Sequence, residues 1–571
     1  MTEEYKKLEN LANDYISKLY KDKIVIKVQT GTSGQAVGAD EIFTLLSSKN
    51  EKKINVIEVG SMGLMYLEPL IVVILPNGDK IFYANVTEEI SERIFAHYSK
   101  SDEILKENSF AYESSRNIES SIPSINHLPQ FSKQLRIATR NFGEITPGDI
   151  YQYISTGGYS ALNKALFEMS PEDVVEEVKN SGLRGRGGAA FPTGLKWSFL
   201  APNKAPTKYV LCNCEEGDPG AYNDKGILET DPHTLVEGLI LNGFATNSNK
   251  SYVFIRQGHD IPINAIERAI KEAYDKGLLG QNILGSNFSF DMEVALTGDS
   301  YVAGEETALM EAIEGKRSTP RFKPPFPAAS GLWKKPTNIN NVKTISYVPQ
   351  IIKNGSDWFK STGTEKSSGT AIVCLSGHIT RPGMYEIPMG MTIEEVLDDV
   401  GGGSNSDKEI KMLQTGGPLG GVLGKEAFAT KIDFDEMAKS GAILGSGGII
   451  VCDESVSVVD LIRNLIAFNQ FESCGKCFPC RLGNTHMFDV LQRLANSKSN
   501  PNDLQLLERI GKSMKIGSLC GHGQLGYNPI SSSLKYFESE IIDSINNKIE
   551  PLEPMLTPTR TRPNSTEQKI G

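Results

Sequence analysis

The stretch Gly182-Leu183-Arg184-Gly185-Arg186-Gly187-Gly188-Ala189-Ala190-Phe191-Pro192-Thr193-Gly194-Leu195-Lys196-Trp197, with the strand-like Tyr209-Val210-Leu211-Cys212-Asn213 that follows, decides how this chain is read. Its Gly-x-Gly-x-x-Ala core lies between two helical patterns and lets backbone N–H groups approach a phosphate closely. The core does not follow a clean strand, as a dinucleotide fingerprint requires, so a plain glycine turn stands beside the phosphate reading. Arg184, Arg186 and Lys196 favour phosphate, and Phe191, Trp197 and Phe199 offer flat faces to an aromatic ring. The apolar run at 209–213 ends in Cys214-Glu215-Glu216-Gly217-Asp218-Pro219-Gly220. Carboxylates so close together repel one another unless they hydrogen-bond something rich in N–H and O–H groups, such as an isoalloxazine ring or a ribose. The carboxyl end of a strand is where open α/β sheets hold such ligands; a solvated acidic turn is the alternative.

Three more loops carry related chemistry. Gly298-Asp299-Ser300-Tyr301-Val302-Ala303-Gly304-Glu305-Glu306-Thr307 joins glycine to paired acids before a helix. Arg321-Phe322-Lys323-Pro324-Pro325-Phe326-Pro327 sets a cation and an aromatic on a stiff proline scaffold, and Asn338-Ile339-Asn340-Asn341-Val342 is a run of amides. Farther on, Cys474, Cys477 and Cys480 sit two residues apart in a glycine- and proline-bearing loop, with Cys520 downstream in Gly517-Ser518-Leu519-Cys520-Gly521-His522. Three thiolates from one tight loop and a fourth from afar suit a 4Fe–4S cluster, whereas structural zinc sites more often draw two separated pairs. Cys212, Cys214, Cys374 and Cys452 stand in apolar or strand-like text and read as buried small hydrophobes.

At 571 residues the chain exceeds one ordinary core, and about 150 residues per domain gives three to five units. A net charge of −11 with interspersed signs argues against nucleic-acid binding, which needs a concentrated basic surface. No apolar run approaches the roughly 20 residues of a transmembrane helix, and the polar opening Met1-Thr2-Glu3-Glu4 resembles no secretory signal. A cytoplasmic protein without disulfides is expected.

The pattern divides the chain. Residues 1–120 alternate helix and strand, with strands at 23–28, 55–59 and 70–75; Ser109 to Gln130, rich in Ser, Asn and Pro, reads as a linker. Ser170-Pro171-Glu172-Asp173 starts a helix with valines at helical spacing. A boundary falls near Asn354 to Thr370, and a compact β-rich unit follows it, with a Thr392-x-x-Glu395 capping box inside it. From Ser455 the pattern turns helical, with Val458, Leu461, Ile462, Leu465 and Ile466 on one face, and the cysteine loop interrupts it. Residues 551–571, rich in Pro, Thr and charge, read as a disordered tail.

The strings at 185–197, 218–222 (Asp-Pro-Gly-Ala-Tyr), 304–309 (Gly-Glu-Glu-Thr-Ala-Leu), 323–327 (Lys-Pro-Pro-Phe-Pro) and 472–481 (Glu-Ser-Cys-Gly-Lys-Cys-Phe-Pro-Cys-Arg), in this order, resemble the NADH-oxidising flavoprotein subunit of respiratory complex I. They are similar also to its soluble relatives, the diaphorase subunits of NAD-linked hydrogenases, formate dehydrogenases and electron-bifurcating complexes. The resemblance spans about residues 135–545. It implies a multidomain α/β fold: a Rossmann-like FMN- and NADH-binding domain at 135–365, a β-grasp domain at 369–452 and a helical 4Fe–4S domain at 455–545. Residues 1–120 resemble the thioredoxin-like ferredoxin domain of many soluble members, but the positions of its cluster cysteines read Gln29, Gly34, Ser61 and Met65. A 2Fe–2S cluster there is excluded for want of ligands, leaving a docking or structural role.

Carried over residue by residue, the resemblance implies FMN against Gly185, Arg186, Gly187, Lys196, Asn213, Glu215, Glu216, Tyr301, Asn340 and Asn341. It implies NADH stacked on Phe191, Phe199 and Phe326, with Asp218, Glu306 and Lys323 on its polar parts. Glu216 and Glu306 would be the catalytic carboxylates, and Cys474, Cys477, Cys480 and Cys520 the cluster ligands. Cys214 and Glu215 stand where the family often has Ala and Asp, and Ala303 where Cys is common. The implied activity is hydride transfer from NADH to FMN, then one-electron relay through the cluster. Glu306 and Asp218 beside the ribose would repel a 2'-phosphate, favouring NAD over NADP. Implied partners are a small thioredoxin-like 2Fe–2S subunit and a further iron–sulfur or catalytic oxidoreductase subunit. Ferredoxin is one candidate acceptor and electron bifurcation one candidate outcome. A non-catalytic iron–sulfur relay or scaffold that has lost its flavin is the competing reading.

Overall fold

The computed structural model describes residues 2–115 and 121–546; the tail expected at 551–571 lies outside the described residues. The strands form three sheets. In the first, β1 (Ile24–Gln29), β2 (Ile54–Val59), β3 (Ile71–Ile74), β4 (Lys80–Tyr83) and β5 (Ser109–Glu113) run in the order β2-β1-β3-β4-β5, with β1 parallel to β2 and antiparallel to β3. Every residue of β1 is buried, as expected of a strand covered on both faces. The stretch read as a linker from Ser109 contributes β5, which pairs with β4. Its polar flanks hide a short, half-buried edge strand.

The second sheet contains β6 (Tyr209–Cys214), β7 (Lys250–Arg256), β8 (Asp291–Thr297) and β9 (Thr337–Asn341), all parallel, in the order β8-β7-β6-β9. The chain proceeds from β6 outward to β8 and then returns to β6's other side, so the order reverses at β6 and opens a crevice at the carboxyl ends of β6 and β9. The helix Pro171–Asn180 feeds the glycine loop; a reciprocal Ser170–Asp173 capping box starts it, and Val174, Val175 and Val178 bury its inner face. The helix Pro232–Ala245 is buried on nearly all sides, which marks it as the core element of this unit.

In the third sheet, β10 (Thr370–Gly377), β11 (Gly383–Pro388), β12 (Ile410–Thr415), β13 (Gly421–Gly424) and β14 (Gly448–Asp453) take the order β11-β10-β14-β12-β13, with β10 and β14 parallel and the other pairs antiparallel. The capping box Thr392–Glu395 forms as expected. Ile372, Cys374 and Met384 from this sheet join the hydrophobic core of the second unit, so the two pack as one body. The last unit is helical: Val458–Glu472, Phe478–Ala495, Asp503–Gly517 and Asn528–Ile545. Val458, Ile462, Leu465 and Ile466 are buried against Met487, Val490, Leu491 and Leu494, while Leu461 packs at the margin. Among the described residues no helix is long and apolar enough to cross a membrane.

Candidate active site

The crevice at the carboxyl edge of the second sheet collects most of the residues singled out from sequence. The glycine loop closes onto it between the helices Pro171–Asn180 and Thr193–Leu200. Gly187 lies so close to β9 that an added Cβ would sit 2.7 Å from the Asn341 Cβ; only glycine permits this approach. The N–H groups of Gly187, Gly188, Ala189 and Ala190 have no hydrogen-bond partner among the described residues. Unpaired donors on a loop facing a crevice fit an anion such as a flavin phosphate.

The two arginines of the loop do other work. The buried guanidinium of Arg186 donates to the carbonyls of Ser368 at 2.6 Å, Arg184 at 3.0 Å and Thr370 at 3.1 Å, and its backbone N–H donates to Thr344 Oγ1 at 2.8 Å. Arg184 pairs with Asp435 at 3.1 Å and lies over the Phe434 ring. Both side chains tie the loop to the third unit, and Lys196 is the loop's cation on the crevice side. Its ammonium lies 3.1 Å from Glu306, which also takes Lys323 at 2.5 Å. Burial pushes Glu306 up, but the two lysines outweigh it and hold the carboxyl down at about 2. Glu306 is thus an ionised carboxylate held between two lysines.

At the end of β6, Asn213 Nδ2 donates to the Gly304 carbonyl at 2.7 Å, and the Glu215 N–H returns to Asn213 Oδ1 at 3.1 Å. Glu216 accepts the backbone N–H groups of Asp224 and Lys225, each at 2.8 Å, capping the following helix. Burial and neighbouring Asp224 push its carboxyl up to about 7. Asp218 accepts from Ser446 Oγ at 2.6 Å, and burial raises it as well. On β9, Asn341 donates to Asp224 at 2.6 Å and Asn340 to Asn338 at 2.5 Å. Phe191 and Phe199 meet at 6.4 Å between ring centroids, half-exposed, while Phe326 makes no ring contact with either. Oε1 of Glu215 is buried with no hydrogen bond, 3.4 Å from the Arg256 guanidinium, and Oδ1 of Asp218 is buried with no hydrogen bond. Acceptors so sparsely satisfied fit the N–H and O–H groups of a flavin or a nucleotide.

Glu215 sits 3.4 Å from Arg256, which alone would keep it ionised. Burial dominates instead, because Arg256 is shared with Asp299 and Asp218 adds repulsion, so the carboxyl is pushed up to about 8. The sign follows. Between the ordinary 4.5 and about 8 the folded chain holds a proton that the unfolded chain has lost, so stability falls as pH rises through that window. Thermal melting of flavin-free protein should show the wild type losing ground to Glu215→Gln across this range; parallel profiles would mean that Glu215 is ionised throughout.

Tyr301 links this crevice to the cysteine loop. Its ring stands edge-on to Phe468 at 5.4 Å and 5.8 Å from the His522 ring, and its N–H donates to Glu472 at 3.0 Å. His522 Nε2 donates to the Asn469 carbonyl at 2.8 Å. Cys474 lies just past the helix Val458–Glu472, Cys477 caps Phe478–Ala495, Cys480 is in that helix's first turn, and Cys520 caps a short turn at 521–524. Helix starts favour thiolate. No three metal-ligating side chains among the described residues close to binding distance, yet the four thiols share one locality. Burial pushes Cys480 up to about 12, and Cys477, Cys520 and Cys474 add to the rise. Asn484 Nδ2 and Ser473 Oγ lie 3.5 and 3.4 Å from the Cys480 sulfur. Four crowded thiols with hydrogen-bonding neighbours fit a cationic iron–sulfur core.

Sequence reading missed Arg256, Lys343, Asp224, Ser446 and Glu472. Lys343 is 2% exposed and pairs with Asp224 at 3.0 Å; its place after the Asn340-Asn341 amides was the one available signal. In the first unit, Gln29 accepts from the Met62 N–H at 2.9 Å and Ser61 donates to Glu68 at 2.6 Å. Thr32 bonds to Glu229, and the Met384 N–H donates to the Gly63 carbonyl at 2.8 Å, which fixes the cysteine-free loops against the second and third units.

Three family models match the chain: the Nuo51 FMN-binding domain over residues 178–350, the SLBB domain over 372–423 and the NADH-ubiquinone oxidoreductase-F iron-sulfur binding region over 460–544. The chain is 45% identical over 416 residues to the NADP-reducing hydrogenase subunit HndC of Solidesulfovibrio fructosivorans, covering 73% of this chain and 84% of that one. It is 39% identical over 391 residues to the NADH-quinone oxidoreductase F-subunit of Escherichia coli (strain K12), covering 68% and 88%. Its fold is similar to a chain of the NAD+-reducing NiFe hydrogenase in the H2-reduced state, with a TM-score of 0.63 at 23% identity over 97% of this chain and 91% of that one. With this extent of shared sequence on either side of the crevice and the cysteine loop, the chain belongs to the family of the NADH-quinone oxidoreductase F-subunit.

Proposed function

We propose that the chain takes hydride from NADH at the crevice of the second sheet and delivers electrons singly, through a 4Fe–4S cluster on Cys474, Cys477, Cys480 and Cys520, to partner subunits. The observation that carries this reading is the contact of Tyr301, on the crevice rim, with Phe468 and His522 beside the cysteine loop. FMN, when bound, supplies the exchange between two-electron and one-electron chemistry. The N–H groups at 187–190 and Lys196 would hold its phosphate. Asn213, Glu215, Glu216, Tyr301, Asn340 and Asn341 would surround its ring, Glu216 and Glu306 nearest the reaction. Phe191, Phe199 and Phe326 would hold the nucleotide, with Asp218 and Lys323 on its polar groups, and the ordered crevice would align donor and acceptor.

In this reading the first sheet is a thioredoxin-like domain without cluster ligands, and the third a β-grasp domain. The relative named as a hydrogenase subunit favours a multi-subunit assembly, which in this reading is cytoplasmic, with a 2Fe–2S subunit and a further oxidoreductase as partners. Ferredoxin reduction and electron bifurcation are activities that such an assembly could add. Anaerobic purification should yield flavin, about four irons per chain and reduction of an artificial dye by NADH. Iron without FMN, and no dye reduction after reconstitution with FMN, would favour a scaffold; zinc in place of iron would overturn the cluster.

A further inference from the structure

The second sheet has an uncovered edge. β8 stands first in the order β8-β7-β6-β9 and pairs with β7 alone. The Asp291 N–H donates to the Asn249 carbonyl at 3.1 Å, and the Thr297 carbonyl accepts the Gln257 N–H at 2.8 Å, both at the ends of β7. Odd-numbered residues of β8 therefore bond inward, and the backbone groups of Met292, Val294 and Leu296 point away from the sheet. Tyr274 caps the first of these, its hydroxyl accepting the Met292 N–H at 2.9 Å. Among the described residues nothing caps Val294 or Leu296, and Leu296 is 53% exposed. An open groove of about 480 Å³ lies between β8 and the helix Asp260–Asp275, lined by Ile270, Tyr274 and Val294. Of the charged residues described in its lining, Glu267 and Asp275 form no ion pair, Glu293 is paired with Lys250 at 2.6 Å, and Lys271 is the one cation. An edge strand with free backbone groups beside an acidic groove suits a basic extended segment added as one more strand.

The chain itself carries a segment of that chemistry. Thr557-Pro558-Thr559-Arg560-Thr561-Arg562-Pro563 alternates threonine with proline or arginine at the period of a strand. Thr559 and Thr561, of one parity, would bond the outward groups of Val294 and Leu296, which leaves the missing N–H of Pro558 on the free side, where an edge strand tolerates it. Arg560 and Arg562 would share the other face, toward Glu267 and Asp275. The helix Asn528–Ile545 that precedes the segment belongs to the unit that meets the loop after β8 through Phe468 and Tyr301, and the thirteen residues from Asn546 to Thr559 span up to roughly 45 Å.

We propose that residues 557–563 dock on β8 as an added strand and close the open edge of the second sheet from within the chain. The inference stands apart from the flavin and cluster reading and holds whether or not either group binds. Hydrogen exchange of the complete chain, resolved to single amides by fragmentation, tests it. The Val294 and Leu296 amides should exchange more than about tenfold slower in the wild type than in the double variant Arg560→Glu, Arg562→Glu, while Met292, capped by Tyr274, exchanges alike in both. Adding Glu267→Lys and Asp275→Lys, both at exposed positions, should restore slow exchange to that double variant, because the charges of segment and groove are then exchanged rather than lost. Equal exchange at Val294 and Leu296 in the wild type and the double variant would overturn the proposal, as would fast exchange in the fourfold variant. Protection that disappears on dilution would overturn it too, since the occupant would then be the segment of a second copy.

Discussion

Replacing Cys477 with Ala should strip the chain of iron, from about four atoms to fewer than one, and leave its flavin in place. Cys477 caps the helix Phe478–Ala495 from a half-buried position, and its side chain makes no capping hydrogen bond. Its truncation therefore opens no core cavity. Cys480 would be a poorer choice, because it is buried against Asn484 and Ser473, and its loss would mix packing with ligation. The flavin residues proposed above lie in other elements, so reduction of ferricyanide by NADH should continue in Cys477→Ala while reduction of any one-electron protein partner stops. Unchanged iron content would refute the ligand assignment.

The largest effect on stability should come from Lys343→Met. Lys343 is 2% exposed, with its ammonium 3.0 Å from Asp224 and 2.7 Å from the Asn223 amide oxygen. Asp224 in turn holds Asn341, and its N–H reaches Glu216. Removing the cation leaves Asp224 buried without its paired charge and weakens the compensation of Glu216, a change that costs about 3–5 kcal/mol. Glu216, already pushed up to about 7, should then take a proton at still higher pH. Denaturant unfolding followed through flavin release would measure the loss. The double variant Lys343→Met, Asp224→Asn should recover part of it, because the unpaired charge is gone. A loss below about 1 kcal/mol would mean that solvent reaches the pair and screens it.

What the sequence disclosed and what it withheld follow from distance along the chain. The glycine loop, the carboxyl end of β6 and the cysteine triplet are local patterns, where residue type and spacing already state the chemistry. The tie of Arg186 to the third unit could not be read from its glycine neighbours, because its partner Ser368 is 182 positions away. Arg184 and Asp435 are 251 apart. Lys343 was invisible for a related reason: a lysine in a helical first turn reads as solvated until the fold brings Asp224 against it. β5 was missed because an edge strand needs only one buried face, and Phe110-Ala111-Tyr112 amid Ser and Asn carries a weak alternation. The pairing of Glu306 with Lys196 and Lys323 was hidden in the same way, since both lysines lie outside its loop in sequence.

Anaerobic titration of the complete chain with NADH, followed by visible absorption and electron paramagnetic resonance, tests the central claim that the crevice and the cysteine loop form one electron path. The flavin absorbance should bleach, and a one-electron-reduced 4Fe–4S signal should grow with it, absent from Cys477→Ala. A cluster that dithionite reduces but NADH leaves oxidised, in protein that holds its flavin, would contradict the account.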